Sequence, residues 1–267
     1  MSWITKFFKF REKSDGDVVK PFLDHMEELR WTIIKMAVVQ VLAMMVAFYY
    51  RTELVHLLKL PLFKVDPALA DKLVITGIAD SFVISLEISF FAGVAMAFPF
   101  LVYFVAEFVL PALTRQEQRF LLPGIGSAFA LFLGGAYFAY EQILPATVGF
   151  FWKDAQTMGF NPMWTWSAYF SFSSWLCIGF GLMCEVPMIV IVLALLGFVS
   201  FNLLNRTRPY AYTIILVLSA VLAPTPDPMT FITLSIPILL MYESCIWVVY
   251  FLEYRKRQKQ GFSDFPE

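Results

Sequence analysis

The sequence predicts an all-α, polytopic membrane protein: six transmembrane helices, two of them long and kinked, with the last two forming a short hairpin. Three observations lead there. Hydrophobic residues supply 59% of the chain and charged residues 15%, with a mean hydropathy of +0.69, well outside the soluble-globular range. The apolar residues gather into runs long enough to cross a hydrocarbon core of roughly 30 Å. Lysine and arginine concentrate on one side of those runs. Spans and short connections consume the 267 residues and leave no room for a soluble catalytic domain. We therefore expect a single membrane domain over 1–267, with an N-terminal segment 1–30, a six-helix core 31–251 and a tail 252–267.

The first span, 31–50, opens at Trp31 and lacks a small-x-small cleavage site, so it reads as a retained span rather than a signal peptide. Ahead of it, MSWITKFFKFREK interleaves Trp3, Ile4, Phe7, Phe8 and Phe10 with Lys6, Lys9, Arg11 and Lys13. That pattern fits either an interfacial amphipathic helix on an anionic leaflet or a basic tail that satisfies the positive-inside rule. The second span, 79–110, and the fourth, 166–199, exceed the hydrocarbon thickness at 1.5 Å per residue. They are expected to tilt, kink or project, with Pro99 and Pro187 supplying the breaks. The third span covers 122–145. The fifth, 209–223, is about 15 residues, short for a straight crossing. It joins the sixth, 229–251, through the stiff APTPDP at 223–228, which allows only a tight antiparallel hairpin.

Counting cations on alternate sides sets the orientation. One side carries Lys6, Lys9, Arg11, Lys13, Lys20, Arg30, Arg115, Arg119, Arg206, Arg208, Arg255, Lys256, Arg257 and Lys259; the other carries Arg51, Lys59, Lys64, Lys72 and Lys153. Lys35 lies inside the first span. The excess places both termini in the cytoplasm, as an even number of spans requires.

Glu185 stands out in the run 175–199, where every other residue is uncharged, and Pro187 follows two positions later. A charge at bilayer depth costs about 3 kcal/mol on insertion scales, so it faces a protein interior or a wet cavity. Proline removes a backbone hydrogen bond, so the helix is expected to kink beside its own carboxylate.

Enzyme signatures are scarce. The sequence has no HExxH, GxSxG or P-loop lysine motif, and His25 and His56 both fall outside the apolar runs. No nucleophile and base can be assembled for an intramembrane hydrolase. Cys177, Cys184 and Cys245 lie in apolar runs without metal spacing and read as small apolar residues. Gly124-Ile-Gly-Ser127 reads as helix packing rather than a nucleophile turn. We expect no cofactor and no metal site, and the net charge of −1 gives no reason to invoke nucleic acid.

What remains is a set of carboxylates at cytoplasmic edges and within spans: Glu27, Glu28, Glu107, Glu117, Glu185, Asp227 and Glu243, with Glu87 toward the outer side. Carboxylates on an otherwise basic face suit a cationic ligand. Glu28 and Glu117 stand closest to span ends, where helix packing could bring them together to hold two guanidinium groups of a peptide. The plainer reading is surface salt bridges to Arg30, Arg115 or Arg119.

The run FLDHMEELR at 22–30 resembles the N-terminal motif of TatC, the multispanning receptor subunit of the twin-arginine translocase. The resemblance continues through Leu60-Pro61-Leu62, Phe98-Pro99, YFVAEFVLPALTRQEQR at 103–119, GLMCEVP at 181–187, Arg208-Pro209-Tyr210, the turn ending at Asp227, and Ile236-Pro237 to Glu243. It implies a curved, glove-like bundle in the bacterial cytoplasmic (inner) membrane. It also implies a receptor and core scaffold without enzymatic activity, which binds the twin-arginine signal peptides of folded cargo and uses the proton gradient.

Further implied partners are small single-span subunits with amphipathic helices and other copies of the chain. In this resemblance Glu28 and Glu117 match the residues that recognise the arginines, with Phe108, Pro111 and Arg30 beside them. Glu185 matches the intramembrane glutamate of the concave face, and Pro61, Pro99, Pro187 and Asp227 match structural positions. Several positions depart from the family pattern: Thr32 for a basic residue, Ala106 for tryptophan, Glu87 for a frequent lysine, and Ala223 and Phe231 in the polar patch of the last hairpin. Thr225, Thr230 and Thr233, with Glu243, are candidates for a shifted patch. The competing reading is a proton- or cation-coupled secondary transporter using Glu185 and Glu243.

Overall fold

The computed structural model describes residues 22–67, 69–109, 121–160, 162–195, 197–222 and 228–261. The described residues form helices joined by turns and short irregular links, with one isolated bridge between Val74 and Thr165.

Helix α1 (Phe22–Tyr49) runs 28 residues without glycine or proline. It starts nine positions before the apolar run, because HMEEL is itself helix-forming. After Tyr50 the chain turns into α2 (Arg51–Val65) and a single turn, α3 (Leu69–Lys72). Helix α4 (Asp80–Val109) has 30 residues. The Asp80 carboxylate accepts from the Gly77 amide at 2.6 Å and the Thr76 hydroxyl at 3.1 Å, fixing the turn that enters the helix.

Helix α5 (Leu121–Phe138) passes through a π turn (Ala139–Ile143) into α6 (Leu144–Thr157). The proline at position 145 explains the π turn. It cannot donate to the Glu141 carbonyl, and the ladder slips so that the Leu144 amide reaches Ala139.

Thr165 caps α7 (Trp166–Met183), its hydroxyl accepting from the Ala168 amide at 3.2 Å. Helix α8 (Val186–Leu195) ends near Gly197, whose φ of +80° favours glycine. Helices α9 (Phe201–Leu222) and α10 (Pro228–Gly261) complete the chain.

Among the described residues, four helical segments are long and apolar enough to cross a membrane: 26–49, 80–108, 166–194 and 230–254. The chain is a multi-pass membrane protein. The other two expected spans, 122–145 and 209–223, fall on α5 with its π turn and on α9.

Two expectations need correction. The helix that carries the fifth span has 22 residues rather than about 15, because the polar stretch from 201 continues the same helix. Pro99 does not interrupt its span: α4 is unbroken across it, and Phe98 stacks on Phe132 of α5 at 3.9 Å. The fourth span does break, between Met183 and Val186, beside Pro187.

Small residues set the close approaches. A Cβ on Gly93 of α4 would lie 2.9 Å from the Met44 backbone nitrogen of α1. One on Gly135 of α5 would lie 2.5 Å from Cys184 Sγ and 3.2 Å from the Gly181 Cα. A Cβ on Gly124 would lie 3.1 Å from Met188 Cε of α8, as at a packing glycine, whereas one on Gly126 would meet nothing within 4 Å among the described residues. The core between helices is filled by Leu62, Ile143, Leu144, Leu176, Phe180, Leu234, Ile246 and Val249, each essentially inaccessible.

At the end opposite Glu28, α2 packs on α6. Pro61 leaves the Leu57 carbonyl without its helical donor, and the Tyr140 hydroxyl fills the gap at 2.6 Å. The Tyr169 hydroxyl donates to the Leu58 carbonyl at 2.7 Å. Lys64 pairs with Glu141 of the π turn, and Lys59 and Lys72 lie over Trp166 and Trp152 at 4.4 and 4.8 Å. These contacts fasten α2 to the helices it caps.

Candidate functional site

Glu28 lies six residues into α1 and is half-buried, while Glu27, Arg30 and Trp31 are exposed. Thr32, where the family pattern has a basic residue, donates its hydroxyl to the Glu28 carbonyl at 2.9 Å. The position where the family pattern has a cation instead bonds the helix backbone one turn earlier.

Packing of α1 on α4 places this end. Beyond the Gly93–Met44 approach, Gln40 Nε2 donates to the Phe90 carbonyl at 3.1 Å, and Lys35 pairs with Glu107 at 3.7 Å. Lys35 is seven residues from Glu28, about 10 Å along the axis, and Glu107 is two residues from the end of α4. The antiparallel pair therefore sets Glu28 and half-buried Phe108 at the same end, from which the 110–120 connection departs. Pro111 and Glu117 lie in that connection, outside the described residues, as do Thr225, Asp227 and Ala223 of the last turn.

Glu185 belongs to a different region. It occupies the break between α7 and α8 and is only 9% exposed. Its amide turns back to the Leu182 carbonyl at 3.1 Å, and its own carbonyl accepts from Ile189 at 3.0 Å. The carboxylate sits by the Phe132 main chain, and Oε1 has no partner among the described residues. Placement ahead of the first turn of α8 puts the negative group at the positive end of that helix. On the far side of the break, Cys245 of α10 donates its thiol to the Pro187 carbonyl at 3.6 Å.

Glu243 is engaged within the bundle. One oxygen pairs with Arg208 of α9 at 3.2 Å and the other accepts from the Tyr212 hydroxyl. Nearly three turns further along α10, Glu253 accepts from the Phe201 amide at 2.7 Å and caps α9 from α10. Thr230 is 1% exposed and donates to Thr147 of α6 at 3.0 Å, so it faces the bundle, while Thr233 is half-buried. Phe231 is half-buried, and its carbonyl accepts from Ser235. Glu87, at the other departure from the family pattern, accepts from the Ser171 hydroxyl of α7 at 2.8 Å.

The structure thus brings Glu28, Arg30 and Phe108 to one helix end and leaves Glu185 and Glu243 elsewhere in the bundle. Sequence reasoning missed the Lys35–Glu107 and Arg208–Glu243 pairs. The signal for the first was available: a lone lysine inside a span calls for a named partner. Among the described residues no group of histidines, cysteines and carboxylates is arranged to hold a metal.

Comparison with known proteins sets these residues in a family. Residues 24–237 match the family model of TatC, the Sec-independent protein translocase protein. The Sec-independent protein translocase protein TatC of Deinococcus radiodurans is 34% identical over 226 residues, covering 84% of this chain and 83% of that protein. The TatC of Akkermansia muciniphila is 33% identical over 190 residues, covering 70% of this chain; the match spans only 55% of that longer relative. A crystal structure of the twin-arginine translocase receptor TatC superposes with a TM-score of 0.75 at 29% identity, covering 85% of this chain and 98% of the other. The chain belongs to the TatC family of Sec-independent protein translocase proteins.

Proposed function

We propose that this chain is the signal-peptide receptor and core scaffold of a twin-arginine translocase in the bacterial cytoplasmic membrane, with both termini cytoplasmic. The observation that supports the reading is the α1–α4 pairing, Lys35 to Glu107 at 3.7 Å, which leaves Glu28 and Phe108 at the same end of the helix pair, where the segment containing Pro111 and Glu117 begins. Two carboxylates held close together match a pair of guanidinium groups, each able to take a bidentate partner. Arg30 and the other cations of that end disfavour peptides lacking such a strong contact.

Recognition at Glu28 and Glu117 is the first stage. The apolar part of the peptide then moves along the bundle toward Glu185, and export draws on the proton gradient. Single-span partner subunits dock on the α9–α10 hairpin, where Thr225, Thr233 and the Thr230 region supply polar contacts and Glu243 holds the two helices in register. The transporter reading is weaker, since Glu243 is already bound by Arg208 and Tyr212 and is not poised to carry a free cation.

Charge reversal at Glu117 tests the proposal. Glu117→Arg abolishes photocrosslinking of a twin-arginine signal peptide in membranes, and replacing the peptide's arginines with glutamates restores part of it. Undiminished crosslinking removes Glu117 from the site.

A further inference from the structure

Lys35 is the one lysine the chain places inside an apolar span of α1, nine residues or about 13 Å in from its Met26 end. An ammonium group there needs a partner, and the partner is Glu107 of α4, 3.7 Å away. The Phe104 ring lies 5.9 Å from the same nitrogen. Both side chains are partly exposed, at 48% and 35%. Glu107 immediately precedes Phe108.

We propose that Lys35 is a specificity-determining residue. By pairing with Glu107 it withdraws a carboxylate that would otherwise compete for the cations of the peptide, and so confines arginine reading to Glu28 and Glu117. This rests on the signal-peptide reading above. The physical basis is distance: the pair lies about 10 Å from Glu28, comparable with the screening length at physiological salt, so an unbalanced charge at either position is felt at the site. The two single losses act in opposite directions. Without Lys35, Glu107 becomes an extra anionic contact that accepts any cation, lysine included, because a lone carboxylate does not demand a planar fork. Without Glu107, the unpaired Lys35 repels every cationic peptide.

The test uses the full-length chain in lipid nanodiscs and fluorescent signal peptides carrying either two arginines or two lysines. Lys35→Gln raises binding of the lysine peptide by about threefold and lowers the arginine-to-lysine preference accordingly, and Glu107→Gln weakens both peptides by a similar factor. The double variant returns toward wild type, Lys35→Arg keeps the wild-type preference, and all differences shrink at high salt. An unchanged preference in Lys35→Gln, or both single variants shifting binding in the same direction, overturns the proposal and leaves only a helix–helix contact. Glu28→Gln separates the two levels. If arginine-peptide binding survives that substitution, the receptor reading itself fails, whereas loss there with no effect at Lys35 defeats only the selectivity role.

Discussion

Glu185 illustrates how a single residue is accommodated where the solvent would expel it. The chain breaks its helix beside the carboxylate, and Pro187 ensures that the break persists by withholding one amide. The adjoining crossing of α5 and α7 depends on the absence of side chains at Gly135 and Gly181, with Phe132 and Cys184 filling the space between. Gly135→Val pushes Cys184 and the break apart, and overpacking of this kind costs about 1–3 kcal/mol. A lowered thermal midpoint in detergent measures it; an unchanged midpoint means the crossing yields without loss. Glu185→Ala is expected to impair cargo export in vesicles while leaving initial peptide crosslinking intact. Equal loss of both assigns the residue to the fold or to the first contact.

Helices in this protein are joined through the backbone groups that prolines leave unpaired. Pro61 frees the Leu57 carbonyl for Tyr140, so Tyr140→Phe removes a bond worth about 1 kcal/mol and loosens α2 from the π turn. Faster amide exchange in 51–65 is the readout, and unchanged exchange means water replaces the hydroxyl without penalty. The α1–α4 pair depends on the Gly93 approach in the same manner. Gly93→Leu separates the helices at Met44, displaces Glu28 relative to Phe108, and weakens signal-peptide binding although it touches no peptide. Binding at wild-type strength in a folded Gly93→Leu protein would show that the register of this pair is not what forms the site.

Such elements explain what could be read beforehand. Apolar runs located α1, α4, the α7–α8 pair and α10, because hydrocarbon demands continuous helices. The break at Cys184 and Glu185 was legible from a carboxylate and a proline two residues apart. By contrast, α2 and the outer half of α6 are amphipathic and carry no span signal. The π turn depends on which carbonyl Pro145 leaves unclaimed, and the first turns of α9 look like a loop until Glu253 caps them from another helix. Pairings such as Lys35–Glu107 need the rotation of two helices about their axes, which sequence periodicity gives only when one face is polar, and here both faces are apolar.

Across the whole molecule, the two ends are built differently. One is fastened: α2 is tied to the π turn by Lys64–Glu141 and the Tyr140 hydroxyl and to α7 by the Tyr169 hydroxyl and Lys59 over Trp166, Lys72 of α3 lies over Trp152 of α6, and Val74 bridges to Thr165 with both amide bonds at 3.0 Å. The other carries Glu28, Phe108 and the start of the connection that contains Glu117, while α9 and α10 are clamped to each other by Arg208–Glu243 and the Glu253 cap. The chain thus fastens its helices at one end and carries Glu28, a carboxylate of the proposed site, at the other. Losing the clamp affects assembly rather than recognition. Arg208→Met with Glu243→Met retains peptide crosslinking but lowers recovery of single-span partner subunits on copurification, and unaltered recovery would separate the clamp from docking.

The central claim is that Glu28 and the end of α4 form one arginine-reading site. A photoreactive amino acid at Phe108 tests it most directly, with the full chain in native membranes and a signal peptide bearing two arginines. The account predicts strong crosslinking that falls to background when the peptide carries two lysines, and equally when Glu28 is changed to Gln. Crosslinking at Phe108 that is indifferent to both changes would contradict it.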